Sequence, residues 1–369
     1  MNPNGRKIHV LVTSAPPEAK GGIVALHRVL FGQPLRQNFR ASIFPVSSPT
    51  PFNERWISRL FRILERMQGF GSLLVKDKSI KIIHINTSYD VRGTVRDAFF
   101  ILISRVFGRK IVIQIHSSVS ACDGTNVMRW IVRHIYSLGS KILVFTEEDR
   151  KKIAILVPKE KAEIFPNAVN VDEFIRKDNG FKSDQSIPEE GKIVLFISRL
   201  IKDKGVYDLI ESIPSVVKEN ENAYFLFAGE GPEKTRMEAI CRRKGIEGKV
   251  RFLGHIQQND VTRAFTSADI FVLPARHPEG MPMAVLEALA AGLPIVSTPL
   301  GAIPDIVKDG INGFLVEPNA PEQIAEKIGL LLHRDDLKKK IREENIRLAR
   351  REYDRDIALN KLEKLYHSL

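Results

Sequence analysis

Short apolar runs rich in β-branched residues recur along the chain, and each is followed by a stretch whose apolar positions have helical spacing. In the first half the runs are residues 7–12, 41–46, 81–85, 110–115, 141–145 and 162–165. In the second half they are 192–197, 223–228, 250–253, 270–273, 294–297 and 313–316. The runs are near-continuously apolar rather than alternating, which predicts strands buried on both faces of parallel sheets with helical crossovers. The pattern predicts an α/β chain of two Rossmann-like domains facing a central cleft. The first spans 1–170 and the second 192–350, with a C-terminal helix over 351–369 that returns toward the first. Residues 171–191, rich in Asp, Lys, Asn, Ser and Pro, read as the interdomain linker. In such folds ligands sit at the carboxyl ends of the strands, so candidate chemistry is sought in the loops that follow them.

Length agrees with two domains, since 369 residues exceed the roughly 250 beyond which single cores stop growing. A 43% hydrophobic content excludes wholesale disorder. The two cysteines, Cys122 and Cys241, are too far apart and too few for a disulfide framework or a cysteine zinc site. No apolar run approaches the roughly 18 residues of a membrane span; the nearest, 98–103, is interrupted at Arg105. The N-terminus lacks a signal-peptide pattern. A cytoplasmic protein of a reducing compartment is expected. Charge is unevenly spread. Residues 1–170 hold 26 Lys and Arg against 12 Asp and Glu, whereas the remainder holds 30 against 32. This asymmetry points to an anionic partner for the first half, or to a well-solvated basic surface.

The most informative segment begins at Leu273 and runs through Glu279-Gly-Met-Pro-Met to Glu287. It reads as strand, loop and helix, with Pro282 placed as the first helical residue. The amides from Gly280 through Met281 and Pro282 to Met283 would mark a helix start suited to phosphate. Glu287, on the second turn, leans back toward that end and suits a ribose diol, while Glu279 in the loop suits a sugar. After the first strand of the second domain comes Phe196-Ile-Ser-Arg-Leu-Ile-Lys-Asp-Lys-Gly. There Arg199 and Lys204 offer a planar fork and a compact charge for a diphosphate. In the first half, Gly21-Gly22 precedes a helix and permits close backbone approach, and His116 ends the fourth strand. A G-x-G-x-x-G fingerprint is absent, which lowers the case for a dinucleotide-dependent oxidoreductase.

With these residues assembled, the chain resembles the retaining family four glycosyltransferases of the GT-B fold. The carriers are Glu279 with Glu287, Ser198-Arg-Leu to Lys204-Gly, Gly21-Gly22 and His116. The resemblance is dense over about 190–320 and thin across the first domain. Ser117, Ala168 and Ser198 stand where the family more often has glycine or another small residue, and no charged group is lost. The resemblance implies a nucleotide diphosphate sugar in the second domain and the acceptor in the first. Arg199 and Lys204 would hold the diphosphate, Glu287 the ribose, Glu279 the sugar hydroxyls, and Gly280–Met283 the sugar or phosphate. Gly21 and Gly22 would approach the phosphate, His116 the transferred sugar, and Ile256 the base through its backbone. His116, Glu279, Arg199 and Lys204 are the catalytic candidates. Uridine diphosphate is expected over guanosine diphosphate as carrier, with no cofactor. No metal is expected either, because the one Asp-x-Asp, Asp354-Arg-Asp356, lies in the C-terminal helical region.

Residues 54–67 form a basic amphipathic pattern. Arg55, Arg59, Arg62 and Arg66 share one stripe, opposite Trp56, Ile57, Leu60, Ile63, Leu64 and Met67. This suits a helix lying on an anionic membrane, or one packed on its own domain with arginines outward. The expected function is transfer of a hexosyl group to a lipid-linked or polysaccharide acceptor at the inner face of the plasma membrane. A sugar phosphorylase or nucleotide-sugar epimerase of the same fold stands as an alternative. So does a basic nucleic-acid-binding protein, against which no nucleic-acid motif is present.

Overall fold

The structure is a computed structural model, described here for residues 7–16, 21–32, 39–46, 56–119, 126–175 and 180–369, without the side chains of 56–60 and 62. Two compact units result, one of Met1–Ala168 with Arg355–Leu369 and one of Val169–Asp354.

In the first unit the order is β1 (Ile8–Ser14), α1 (Gly22–Phe31), β2 (Phe39–Pro45), α2 (Trp56–Lys76), β3 (Ile80–Thr87) and α3 (Val91–Val106). It continues through β4 (Lys110–Ile115), α4 (Asn126–His134), β5 (Lys141–Val144), α5 (Glu147–Ile153) and β6 (Ala162–Ile164). In the second unit α6 (Phe181–Asp184) precedes β7 (Lys192–Ile197), α7 (Val206–Glu219), β8 (Ala223–Ala228), α8 (Lys234–Arg243) and β9 (Val250–Gly254). Then come α9 (Gln258–Ser267), β10 (Ile270–Leu273), α10 (Met283–Ala291), β11 (Ile295–Ser297), α11 (Ile303–Ile306) and β12 (Gly313–Leu315). Helices α12 (Pro321–His333) and α13 (Asp335–Leu348) complete it, and α14 (Arg355–His367) belongs to the first unit.

The strands form where the apolar runs fall, because a strand covered by helices on both faces has no solvent side to alternate toward. All pairings between them are parallel. The second sheet has the order β12-β11-β10-β7-β8-β9, the doubly wound Rossmann arrangement, and the first has β2-β1-β3-β4-β5-β6. The expectation of full burial fails at the edges. In β2, Ile43 is exposed, and in β6, Ile164 is exposed, because an outermost strand has a neighbour on one side only. The stretch 171–191, read as a linker, contributes buried Val171, Phe174, Phe181 and Ile187 to the second unit.

The strand order reverses between β7 and β10 in the second sheet, and between β1 and β3 in the first. At such a point neighbouring crossovers run to opposite faces and leave a crevice at the carboxyl ends of the two strands. The residues of interest lie in the loops that leave these strands.

Candidate active site

In the second unit, β7 runs into the loop that carries Arg199 and a single turn at Lys202–Lys204. Gly205 ends that turn at φ +68, and a Cβ there would lie 1.7 Å from the carbonyl oxygen of Pro274. Only glycine lets the loop after β7 lie against the loop after β10. Across that contact Lys204 Nζ donates to Glu279 Oε1 at 2.5 Å, and both side chains are largely buried, 14% and 13% exposed. Arg199 is exposed.

The Glu279 backbone is fixed from the far side. It bridges to Gly301, and the Ala302 amide donates to its carbonyl at 3.0 Å. Gly301 has φ +64, and a Cβ on it would lie 1.9 Å from the Glu279 oxygen. A second ion pair was not read from the sequence. Arg276 sends Nε and Nη2 to the two carboxylate oxygens of Asp208, at 2.7 and 2.5 Å. Asp208 is buried in the first turn of α7. These bonds raise the guanidinium further above its ordinary value, so Arg276 is a neutralised pin between the β10 loop and α7. A lone Asp and a lone Arg 68 residues apart carry no signal until the sheet order brings them together.

Helix α10 begins at Met283, with Pro282 in the cap position at φ −65 and ψ 123 rather than as the first helical residue. Proline has no N–H, so Pro282 supplies shape and a carbonyl but no donor, and the first-turn donors are Met283 and Ala284. Glu287 is buried on this helix and Met281 is buried in the preceding loop; each has an interaction partner. Gly280 is half-buried, and Ile256, just past β9, is also half-buried.

In the first unit, Gly21 caps α1 and Gly22 opens it, both exposed. His116 follows β4, and its Nε2 lies 2.6 Å from Asn86 Oδ1. The Asn86 Nδ2 donates to the Thr13 carbonyl at 2.8 Å, which leaves Oδ1 as acceptor. His116 therefore carries its proton on Nε2 and presents Nδ1 as an acceptor. Burial, with His27 and His84 nearby, holds this imidazole well below its ordinary value and neutral. His27, buried on α1, shares a hydrogen bond between Nδ1 and Ser14 Oγ at 2.5 Å, and its Nε2 has no hydrogen-bond partner among the described residues. Asn86 and His27 were not singled out in the sequence, because Asn inside a strand and His inside a helix are ordinary until a third element meets them.

Of the basic stripe, Arg55 lies outside the described residues, and Arg59 and Arg62 are described only as helical backbone of α2. Arg66 donates to the carbonyl of Pro45 in β2. Phe61 and Leu64 of the same helix are exposed, while Phe70 and Leu74 are buried. Among the described residues no group of three or more His, Cys, Asp and Glu is placed to hold a metal ion. No described helix is long and apolar enough to cross a membrane.

Several known proteins are similar to this chain. Residues 178–348 match the family model described as glycosyl transferases group 1. These residues are similar to that family. The matched residues include Arg199, Lys204, Glu279 and Glu287. An uncharacterised glycosyltransferase of Methanocaldococcus jannaschii is 32% identical over 173 residues, 46% of this chain and 44% of that protein. The chain therefore matches under half the length of that relative. A phosphatidyl-myo-inositol mannosyltransferase of Mycobacterium leprae is 26% identical over 266 residues, 72% of this chain and 69% of its own. A crystal structure of an Anabaena protein in complex with UDP superposes at a TM-score of 0.78 with 17% identity. It covers 99% of this chain and 100% of that one, and shows a shared fold.

Proposed function

We propose that the chain is a retaining, metal-independent glycosyltransferase. It moves a hexosyl group from a uridine diphosphate sugar to a lipid-linked or glycan acceptor. The observation that carries this reading is the Lys204–Glu279 pair at the point where the strand order reverses, a cation and a carboxylate side by side with exposed Arg199 on the same loop.

Breaking an anomeric C–O bond builds negative charge on the departing diphosphate and positive charge on the sugar ring. In this reading Arg199 and Lys204 take the first charge, and Glu279 orients the sugar hydroxyls beside the second. Fixed groups of this kind favour the transition state because they are aligned before charge develops. Glu287 holds the ribose, the Met283 amide and the Gly280–Met281 backbone the sugar or phosphate, and the Ile256 backbone the base. Gly21 and Gly22 are further candidates for contact with the phosphate. His116, neutral with Nδ1 free to accept, receives a hydroxyl of the transferred sugar. Retention follows if an oxygen of the leaving phosphate takes the acceptor proton on the same face. Two cations in the site serve the charge a metal would otherwise meet.

The acceptor reading is supported by the excess of basic residues in 1–170 and by the lipid acceptor in the name of the mycobacterial relative. The protein then works peripherally at the inner face of the plasma membrane. The UDP in the Anabaena complex supports the base. The test is a panel of nucleotide sugars scored by thermal stabilisation and by transfer to a lipid extract. A UDP-sugar should stabilise the protein, and Arg199→Ala should abolish the shift. Stabilisation by oligonucleotides alone would sink the enzyme reading.

A further inference from the structure

The apolar run at 98–103 is split by its helix. Ala98, Phe100 and Ile101 face the sheet, whereas Phe99 and Leu102 are exposed. They continue a line along α3. Val91, Val95, Phe99, Leu102 and Val106 are all exposed, Val106 at 83%. At about 100° per residue these five fall within an arc of about 80°. The remaining exposed positions of α3 are Arg92 and Arg105, one on each flank of the line. Helix α4, which packs on α3, repeats the composition: Val127 and Trp130 are exposed at 61% and 57%, beside exposed Arg129, Arg133 and His134. No exposed position within either helix is acidic. Asp97 is buried against Arg96, and exposed Asp90 sits at the end of the line as the cap of α3.

We infer that the outer face of α3 and α4 docks on an anionic lipid bilayer. This rests on the peripheral-membrane reading above but not on the transfer chemistry. It assigns the contact to a face other than the arginine stripe of α2. A line of apolar side chains flanked by guanidinium groups meets both needs of an interface, since the apolar tips enter the acyl boundary and the arginines stay at the phosphates. A tryptophan at the margin fits the headgroup level. Charge decides against a second copy of the chain. A two-fold contact through this face would set Arg92, Arg105, Arg129 and Arg133 against their own counterparts, with no carboxylate between them. On α2, by contrast, Arg66 turns to a backbone carbonyl of its own unit.

The chain has two tryptophans, Trp56 in α2 and Trp130 in α4, one reporter for each helix. The probe is full-length protein with vesicles of phosphatidylglycerol and phosphatidylcholine, some carrying brominated acyl chains. With Trp56→Phe, the remaining Trp130 should be quenched and blue-shifted on binding. The combined variant Phe99→Ser, Leu102→Ser, Val106→Ser should sediment with vesicles roughly tenfold less than the parent, while its thermal midpoint stays near the parent's, because all three side chains are exposed. Unquenched Trp130 in vesicle-bound protein, with quenched Trp56 in the Trp130→Phe variant, overturns this inference and leaves the membrane reading standing. Absence of any vesicle binding overturns both, whether or not transfer is observed. A dimer in sedimentation equilibrium that the triple variant dissociates would assign the face to a second copy and also overturn it.

Discussion

Lys204 and Glu279 lie 75 residues apart in sequence and meet at 2.5 Å where the loops after β7 and β10 touch. Each therefore sets the charge that the other presents to a ligand. Removing the cation, Lys204→Ala, is expected to lower kcat about a hundredfold, as for loss of a charge-stabilising donor. Removing only the negative charge, Glu279→Gln, leaves Lys204 unneutralised. UDP should bind several-fold tighter while transfer falls, a split read by isothermal titration beside turnover. Weaker UDP binding in Glu279→Gln would show that the glutamate does not compete for the lysine.

Gly301 tests how far backbone placement governs the site. In Gly301→Ala the new Cβ would lie 1.9 Å from the Glu279 carbonyl oxygen, and the residue would keep a positive φ. The expected cost is about 2 kcal/mol or more in stability, with a raised KM for donor because Glu279 is displaced. Urea unfolding and donor titration measure the two effects.

The buried histidines make the first unit sensitive to acid. Burial lowers His27 from 6.5 to about 4 and His84 to about 3. A depressed histidine stabilises the fold fully above its unfolded value of 6.5, because there both states are neutral. As pH falls from 6.5 toward 4 the unfolded chain takes up the proton first, so stability drops through that window, by on the order of 3 kcal/mol per group at most. Urea midpoints at pH 7 and pH 5 should differ in that direction. A midpoint that rises on acidification would refute the assignment.

Tyr366 ties the last helix to the first unit by donating to His84 Nδ1 at 2.5 Å, while His84 Nε2 lies 3.1 Å from Gln114 Oε1. Tyr366→Phe leaves a buried ring nitrogen unpaired and should cost about 1–3 kcal/mol. Proteolysis rates at α14 should rise with it.

Asn86 is expected to act through His116. Asn86→Ala releases the ring to either tautomer and should lower transfer roughly tenfold, with the acid limb of the rate profile shifted. A uniform loss at every pH would indicate a structural role alone.

Much of the fold was legible because parallel strands covered on both faces read as unbroken apolar runs. The strands whose burial was over-read, β2 and β6, are the two edges of the first sheet, where position in the sheet decides exposure and composition does not. In the site, Lys204 and Glu279 were visible as residues because each follows a strand, but their pairing depends on the order of β7 and β10. Asp208, Arg276, Asn86 and His27 carried no local pattern at all. The run 98–103 likewise does not say that Phe99 and Leu102 are the residues a helix turns outward.

The second unit leaves the first at Val169 and returns at Asp354, and these two residues pair with each other. The Val169 amide also donates to the Tyr353 carbonyl at 2.9 Å. In topological terms the unit is an insert with its two ends stitched together. A single short splice between Ala168 and Arg355 would rejoin the chain of the first unit. A protease that cuts one crossing leaves the two units covalently joined through the other.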